Sequence, residues 1–288
     1  MRAMSRSLRF VAAVVVCFAA AGKMQAQCSW TTNMTTLDFG AYSVFGGVAN
    51  STTTGAVRCI GNLDVTISAS TGAAGVFNPR KMSGTASYNV YIDAGRTLIW
   101  GDGTGGSNKD PFTNVGTQTW TITEYGQVPA AQDLAPGIYN DSLTVTVAYK
   151  NTGGGPLTTL PGVAMPVRMT VGTECRADVF NLAFPAYSPL SAVAVAGAST
   201  VKVYCTKTTP ATFALDNGSN AIGVQKRMVN AGNFLNYTAT LASGAGVSGT
   251  SLAPIGGGIA LTGSIPAGQD LPAAATSYLD TLQVVVNY

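Results

Sequence analysis

One eleven-residue pattern occurs twice in this chain and does most to constrain its fold. Tyr-x-Asp-x-Leu-x-Val-x-Val-x-Tyr runs from Tyr139 to Tyr149 and again from Tyr278 to Tyr288. Side chains of an extended strand alternate between its two faces, so each copy places its Tyr, Leu and Val residues on one face. The pattern therefore predicts two similar β units in tandem, each with a sheet that is buried on one face and largely solvated on the other.

Composition supports an all-β chain. The sequence has 288 residues, of which 46% are hydrophobic and only 10% charged, which is enough for two domains with a core each. Short alternating segments between Gly, Pro and Asn predominate, as is typical of β sandwiches. The net charge is +3 and the basic residues are scattered, so no surface for nucleic acid is predicted.

The N-terminus has the features of a secretory signal. Three arginines, Arg2, Arg6 and Arg9, precede an apolar stretch at Val11–Ala21 that is too short to span a bilayer as a helix. We predict a signal peptide over residues 1–26, cleaved at or within a few residues of its end. The alternative is a membrane anchor.

The cysteines follow the repeat. Cys17 lies in the predicted signal, whereas Cys28 and Cys59 are 31 residues apart (59 − 28) and Cys175 and Cys205 are 30 apart (205 − 175). An exported chain enters an oxidising compartment, so we predict one disulfide in each unit, Cys28–Cys59 and Cys175–Cys205. A cysteine metal site is disfavoured because the chain contains no CxxC motif and no His.

Several shorter motifs recur in the same order. The matching segments are Leu37–Tyr42 with Leu182–Tyr187, Arg80–Met82 with Lys226–Met228, Tyr88 with Tyr237, and Val128–Leu134 with Ile265–Leu271. The second copy has no counterpart of the Trp-Gly-Asp-Gly-Thr element at Trp100–Thr104. We therefore predict domains at residues 27–150 and 173–288, joined by residues 151–172.

The joining segment itself alternates. Its apolar positions are Val163, Met165, Val167, Met169 and Val171. This alternation predicts that Gly162–Val171 is a closing strand captured by the first domain. Pro166 removes one backbone donor, which is tolerated at a sheet edge or bulge. The alternative is a plain linker, since Gly153–Pro156 immediately upstream is typical of a loop.

These motifs, in this order and twice over, resemble the spore coat protein U family, whose domain also forms subunits of archaic chaperone–usher pili. The first copy has all the motifs, and the second lacks the Trp-Gly-Asp-Gly-Thr element and has Pro185 where the first has Gly40. The resemblance implies incomplete immunoglobulin-like sandwiches. Each would lack a strand, which a periplasmic chaperone supplies first and the N-terminal extension of the next subunit replaces.

The resemblance also implies a place in the fibre. The predicted mature chain begins just before Cys28 without a donor extension, and no alternating segment follows Tyr288, so the chain would accept a strand but not give one. We expect the final strand of the acceptor domain to carry its apolar face on Tyr278, Leu282, Val284, Val286 and Tyr288. The function implied is that of a non-enzymatic tip adhesin acting in surface attachment and biofilm formation. It would be secreted through the periplasm to the pilus tip with a pilus chaperone, an outer-membrane usher and an adjacent pilin. The alternative is a secreted structural coat or matrix protein.

Enzymatic chemistry is poorly represented. Without His the chain has no Ser-His-Asp or Cys-His arrangement, and we expect neither cofactor nor metal. Asp141 and Asp280 recur in equivalent strands, which favours a structural role. The GxGxxG letters at Gly101–Gly106 are followed by Pro111 rather than by a helix, so no dinucleotide site is predicted.

A candidate adhesive surface follows if the strands of the first domain simply alternate in direction. The loops at residues 69–84, 101–116 and 150–160 would then share the end remote from the second domain. Their apolar residues, proposed to contact an abiotic or host surface, are Val76, Phe77, Phe112, Val115 and Leu157. The alternative places Phe77 and Phe112 in the core.

Overall fold

The computed structural model describes residues 26–242, 244–272 and 276–288, and the regular structure in these ranges is β strand except for two short 3-10 turns at Gly72–Ala74 and Ile255–Gly257. The all-β prediction is confirmed. Within the described ranges no helix has the length and apolar character needed to cross a bilayer. The predicted signal lies almost wholly outside the described residues.

The first eleven strands pair only with one another and form the first sandwich. They are β1 (Gln27–Thr32), β2 (Leu37–Tyr42), β3 (Ala49–Ile60), β4 (Leu63–Ala69), β5 (Arg80–Met82), β6 (Ala86–Tyr91), β7 (Asp110–Asn114), β8 (Thr117–Val128), β9 (Gly137–Asn151), β10 (Thr158–Thr159) and β11 (Val163–Val171). One sheet has the order β1-β3-β8-β6-β5. The other has the order β2-β11-β9-β4-β7, with β10 beside β9.

The two sheets bury one alternating face each. In β9, Leu143, Val145 and Val147 are fully buried, while the residues between them are exposed or half-buried. This arrangement follows from the period of two and produces one continuous core between the sheets. A disulfide between Cys28 and Cys59 joins directly opposed residues of β1 and β3.

Strand β11 completes the second of these sheets. It runs parallel to β2 and antiparallel to β9, with Val163 opposite Val145 and Val171 opposite Gly137. The apolar side chains from Met165 to Val171 are fully buried. Pro166 is tolerated because the ladder with β2 begins only at Val167. The segment is therefore a strand of the first sandwich rather than an unpaired linker.

The remaining strands form the second sandwich. They are β12 (Cys175–Ala177), β13 (Val195–Val201), β14 (Val203–Cys205), β15 (Pro210–Leu215), β16 (Lys226–Asn230), β17 (Asn233–Leu241), β18 (Ala245–Val247), β19 (Ile259–Ile265) and β20 (Val284–Asn287). The sheets have the orders β13-β19-β17-β16, β18-β15-β20 and β12-β14. A disulfide joins Cys175 to Cys205.

Polar side chains connect the two sandwiches at the exit of β11. The Glu174 carboxylate accepts hydrogen bonds from the Ser43 hydroxyl at 2.8 Å and from the Val44 amide at 2.6 Å. The Asp133 carboxylate accepts from the amide and hydroxyl of Ser251 at 2.8 and 3.0 Å and lies 3.3 Å from the Lys207 ammonium. The second sandwich is thus held by side chains as well as by the connecting strand.

Candidate functional site: an open groove in the second sandwich

The two sandwiches differ most where β11 lies in the first. There, the motif at Leu37–Tyr42 and the first half of β9 are both strands, because each pairs with β11. The equivalent segments of the second sandwich, residues 182–187 and 278–283, contain no strand apart from a single bridge between Leu279 and Val229. The same sequence motifs therefore take different structures in the two halves.

A groove lies between these two segments. It consists of two adjoining cavities of about 480 and 660 Å³ that share Leu182, Phe184, Met228 and Tyr278 in their walls. Their counterparts in the first sandwich are Leu37, Phe39, Met82 and Tyr139. Three of these are buried and Tyr139 packs against the core. We define residues 180–187 and 278–282, with Met228 and Tyr237 beneath them, as the open groove.

The apolar residues along the groove are less buried than their counterparts. Leu37 and Leu143, on the strands that flank β11, are fully buried, whereas Leu182 and Leu282 are only half-buried. Leu279 is 67% exposed. Contiguous apolar surface beside unpaired backbone is typical of a site that binds another chain.

The final-strand residues predicted for the acceptor domain divide into two groups. Val284 and Val286 belong to β20, which pairs with β15, and both pack against the core of the second sandwich. Tyr278 and Leu282 pack at the groove instead, and Tyr288 is 59% exposed. Only the second half of the predicted segment therefore forms a strand, while the first half makes isolated backbone hydrogen bonds at Leu279, Thr281 and Gln283.

The repeated aspartates fix the geometry beside the groove. The Tyr237 hydroxyl donates to Asp280 Oδ2 at 2.7 Å, just as Tyr88 donates to Asp141 Oδ2 at 2.7 Å in the first sandwich. Burial, together with the carboxylate, raises the pKa of Tyr237. Gly218 has a φ of +87° and lies so close to Asp280 that a Cβ would be 2.1 Å from its carboxylate oxygen. These contacts are structural, as the repetition predicts.

The prediction that three apolar loops share one end of the first sandwich is wrong for residues 69–84. Ala73 donates to Asp141 Oδ1 and Ser83 to the Asn140 carbonyl, which places this loop along the first half of β9. Asn151, at the remote end, is ten residues further along β9 (151 − 141), roughly 30 Å at the usual rise of a strand.

The two phenylalanines of the predicted adhesive surface also turn inward. Phe77 is 7% exposed, with the Arg80 guanidinium over its ring at 5.1 Å, and Phe112 stacks on Trp120 at 4.8 Å between ring centres. Val76 is exposed, but it belongs to the loop at residues 69–84, which does not lie at the remote end. Both rings turn inward because packing against the core removes their apolar surface from water.

Two predicted residues do remain exposed at the remote end. Val115 is 62% exposed and Leu157 65%. Gly116 pairs with the loop at Gly61–Asn62, and Thr152 donates to the Asn62 carbonyl, so both hairpins meet there.

A buried acid in the first sandwich was missed by the sequence analysis. Glu124 is fully buried in β8, and neither carboxylate oxygen has a hydrogen-bond partner among the described residues. The sequence feature that could have revealed Glu124 is a charged residue at an inward-facing position of β8, between Ile122 and Val128. In the described part of the chain, no group of three or more His, Cys, Asp or Glu side chains is placed to hold a metal ion.

Comparison with known proteins identifies the family. The Spore Coat Protein U domain matches residues 14–146 and again residues 163–285, so the chain belongs to this family and carries two copies of its domain. The resemblance stated from the motifs is confirmed. The second match begins at Val163, the first residue of β11.

A curated relative and a solved structure are similar to parts or all of the chain. Protein U of Myxococcus xanthus is 35% identical over 63 residues, which cover 22% of this chain and 34% of that protein, so the chain spans about a third of its length. A chain in the crystal structure of the CsuC–CsuE complex aligns over 91% of this chain and 100% of its own length, with 18% identity and a TM-score of 0.51. That complex is described as a chaperone–tip adhesion subunit pre-assembly complex of archaic chaperone–usher Csu pili of Acinetobacter baumannii. At this identity the likeness concerns the fold.

Proposed function

We propose that this chain is a non-enzymatic tip adhesin subunit of a chaperone–usher pilus. Its second sandwich joins the fibre by accepting a β strand from the adjacent pilin, after a periplasmic chaperone has occupied the same groove and an outer-membrane usher has received the complex. The first sandwich then faces outward and attaches the cell to surfaces, which supports biofilm formation.

The observation that carries the proposal is the contrast between the two halves of the chain. β11 fills the first groove, and equivalent side chains line the open groove, between whose two segments none of the described residues forms a strand. The backbone of residues 182–187 has polar groups that a donor strand would pair, and the apolar walls offer pockets for alternating side chains. The fold of the subunit crystallised with a chaperone is consistent with this arrangement.

A peptide with the sequence of residues 162–172 is expected to raise the melting temperature of the second sandwich. Because ligands that bind only the folded state stabilise it by mass action, a peptide at a hundred times its dissociation constant adds about 2.7 kcal/mol. The measurement is calorimetry of the full chain with increasing peptide. A control peptide with Asp at Val167 and Met169 places charges in apolar pockets and leaves the transition unchanged. A transition that is insensitive to both peptides contradicts the proposal.

The adhesive contact is proposed at the remote end of the first sandwich. Replacing Val115 and Leu157 together with Ser is expected to reduce binding of cells to a hydrophobic abiotic surface, because both side chains are exposed there. Pilus number, counted by electron microscopy, stays unchanged since neither residue belongs to the core. The matched control is Val76→Ser, in the loop beside the first half of β9. Unaltered binding by the double variant would place the adhesive contact elsewhere.

A secreted coat or matrix role is the second candidate, favoured by the matches to the Spore Coat Protein U domain and to protein U. Immunogold labelling of cells distinguishes the two functions. Label at fibre ends is expected for a tip adhesin, and label spread evenly over the cell surface for a coat protein.

A further inference from the structure

The end of the first sandwich that receives the second carries an acidic contact. The Asp133 carboxylate, in the loop between β8 and β9, binds the amide and hydroxyl of Ser251 and the ammonium of Lys207. All three partners belong to the second sandwich. Asp133 is therefore a docking residue for the domain that follows it in the chain.

The second sandwich reproduces the loop that holds this aspartate. In the first, the Gln132 side chain accepts from the Ser87 amide at 2.7 Å and donates to the Ser87 carbonyl at 2.9 Å. In the second, Gln269 accepts from the Asn236 amide at 2.8 Å and donates to the Asn236 carbonyl at 2.9 Å. The backbone next to each glutamine is thus fixed in the same way, and an aspartate follows it in both loops.

The second aspartate, Asp270, has no polar partner among the residues that the structure describes. It is exposed, and no hydrogen bond or ion pair joins it to another of the described residues. It lies beside Gln269, whose amide donates to the Tyr187 hydroxyl at 2.7 Å at the end of one groove segment. A strand filling the groove as β11 fills the first would therefore leave the sandwich next to Asp270.

Two charged side chains that join the sandwiches, Lys207 and Glu174, have no charged counterpart in the first sandwich. Lys207 lies two residues after the second cysteine of its domain, where the first sandwich has Gly61. Glu174 lies one residue before the first cysteine, where the first sandwich has Gln27. At these two positions the second sandwich therefore carries charged docking side chains, and the first sandwich does not.

From this internal copy of the junction we infer that Asp270 is the docking contact for the next subunit of the fibre. The partner is a further spore coat U domain whose strand fills the open groove. It presents to Asp270 a cationic side chain and amide or hydroxyl donors, as Lys207 and Ser251 present them to Asp133. The inference rests on the proposed function, and it adds a second point of attachment outside the groove.

The contact made by Glu174 is only partly available to that partner. Ser188 occupies the position of Ser43 and keeps a hydroxyl donor, but Pro189 replaces Val44 and has no amide hydrogen. Asp270 therefore carries most of the polar docking at this end of the second sandwich.

The test extends the full chain by a copy of its own second unit. Tyr288 corresponds to Tyr149, so residues 150–288 are added directly after Tyr288 and supply a new β11 followed by a new Lys207 and Ser251. Spin labels at Thr262→Cys in both copies report by pulsed EPR whether the added domain is docked. Hydrogen exchange at residues 182–187 reports whether the groove has been filled.

With the original Asp270 intact, we expect protected groove amides and a narrow distance distribution. Asp270→Lys in the original copy leaves the groove protected and lowers the ratio of docked to undocked domains about tenfold, the usual scale for a close interface charge pair. Lys207→Asp in the added copy restores docking, and Asp102→Lys, on an exposed loop of the first sandwich, leaves it unchanged. If the groove amides are protected but neither Asp270→Lys nor Lys207→Asp alters the docked fraction, the inference about Asp270 is wrong and the proposed function stands. Unprotected amides in the unaltered chain would overturn it together with the proposed function.

Discussion

Replacing both Met165 and Val167 with Asp is expected to unfold the first sandwich. Both side chains are fully buried in β11, which pairs with β2 on one side and β9 on the other. A carboxylate without a partner in an apolar interior costs several kcal/mol, and two of them approach the net stability of about 5–15 kcal/mol that a whole domain has. Loss of β11 also exposes the apolar faces of its two neighbours.

Calorimetry of the full chain checks this expectation, since the first transition is lost while that of the second sandwich remains. The matched control places Asp at Ala164 and Thr170, which face outward on the same strand. It adds the same charge without burying it, so its melting temperature stays close to that of the parent chain. A double variant that melts like the control would mean that β11 contributes nothing to the stability of the first sandwich.

Replacing Glu124 with Gln is expected to stabilise the first sandwich by about 3 kcal/mol at pH 7. Burial, with a smaller contribution from the charge of Asp110, raises the pKa of Glu124 to about 9 from its usual 4.5. The folded protein therefore keeps this carboxyl protonated at neutral pH. Folding must then take up a proton that the unfolded chain has already released.

The pH dependence follows from the sign of this shift. The pKa of Glu124 is higher in the folded state than in the unfolded one. The contribution of its protonated carboxyl to stability is therefore complete below about pH 4.5 and is lost as the pH rises through about 9. Over that window the parent loses about 1.4 kcal/mol per pH unit, and the Gln variant, which has no proton to exchange at this position, does not.

Denaturant unfolding at several pH values between 4 and 9 measures the difference. The two proteins are expected to be nearly equally stable at pH 4 and to diverge steadily above it. Asp110→Asn serves as a second variant with a change in the same direction, because it removes the charge beside Glu124 and also an acid whose own pKa is raised by burial. Parallel stability curves for parent and Glu124→Gln would show that Glu124 is ionised in the folded state.

Most of what could be predicted from the sequence came from the repeated motifs and from the alternation of apolar and polar residues. The spore coat U domains and the all-β structure were both predicted, since motifs in a fixed order and a period of two are local properties of the chain. The position of residues 69–84 was not, because the count assumed that successive strands simply alternate in direction. In the structure β4 runs antiparallel to β9, from Leu63 opposite Asn151 to Ala69 opposite Val145, so the loop that follows it lies toward the start of β9.

The groove and Glu124 illustrate two further limits. Residues 182–187 have the alternation of a strand, but whether they form one depends on a neighbour that the local sequence does not specify. Glu124 was visible as an acid at an inward position of β8, and only its packing establishes that both oxygens lack partners.

The path of β11 has a mechanical consequence. The strand lies lengthwise between β2 and β9 and leads within a few residues to Cys175, the start of the second sandwich. Tension applied between an attached first sandwich and the rest of the chain therefore acts along the strand. The backbone hydrogen bonds on both of its sides then share that load simultaneously. They would break one after another if the strand were peeled from its end. For the proposed function this means that a pull between the two sandwiches loads β11 in shear within the first one.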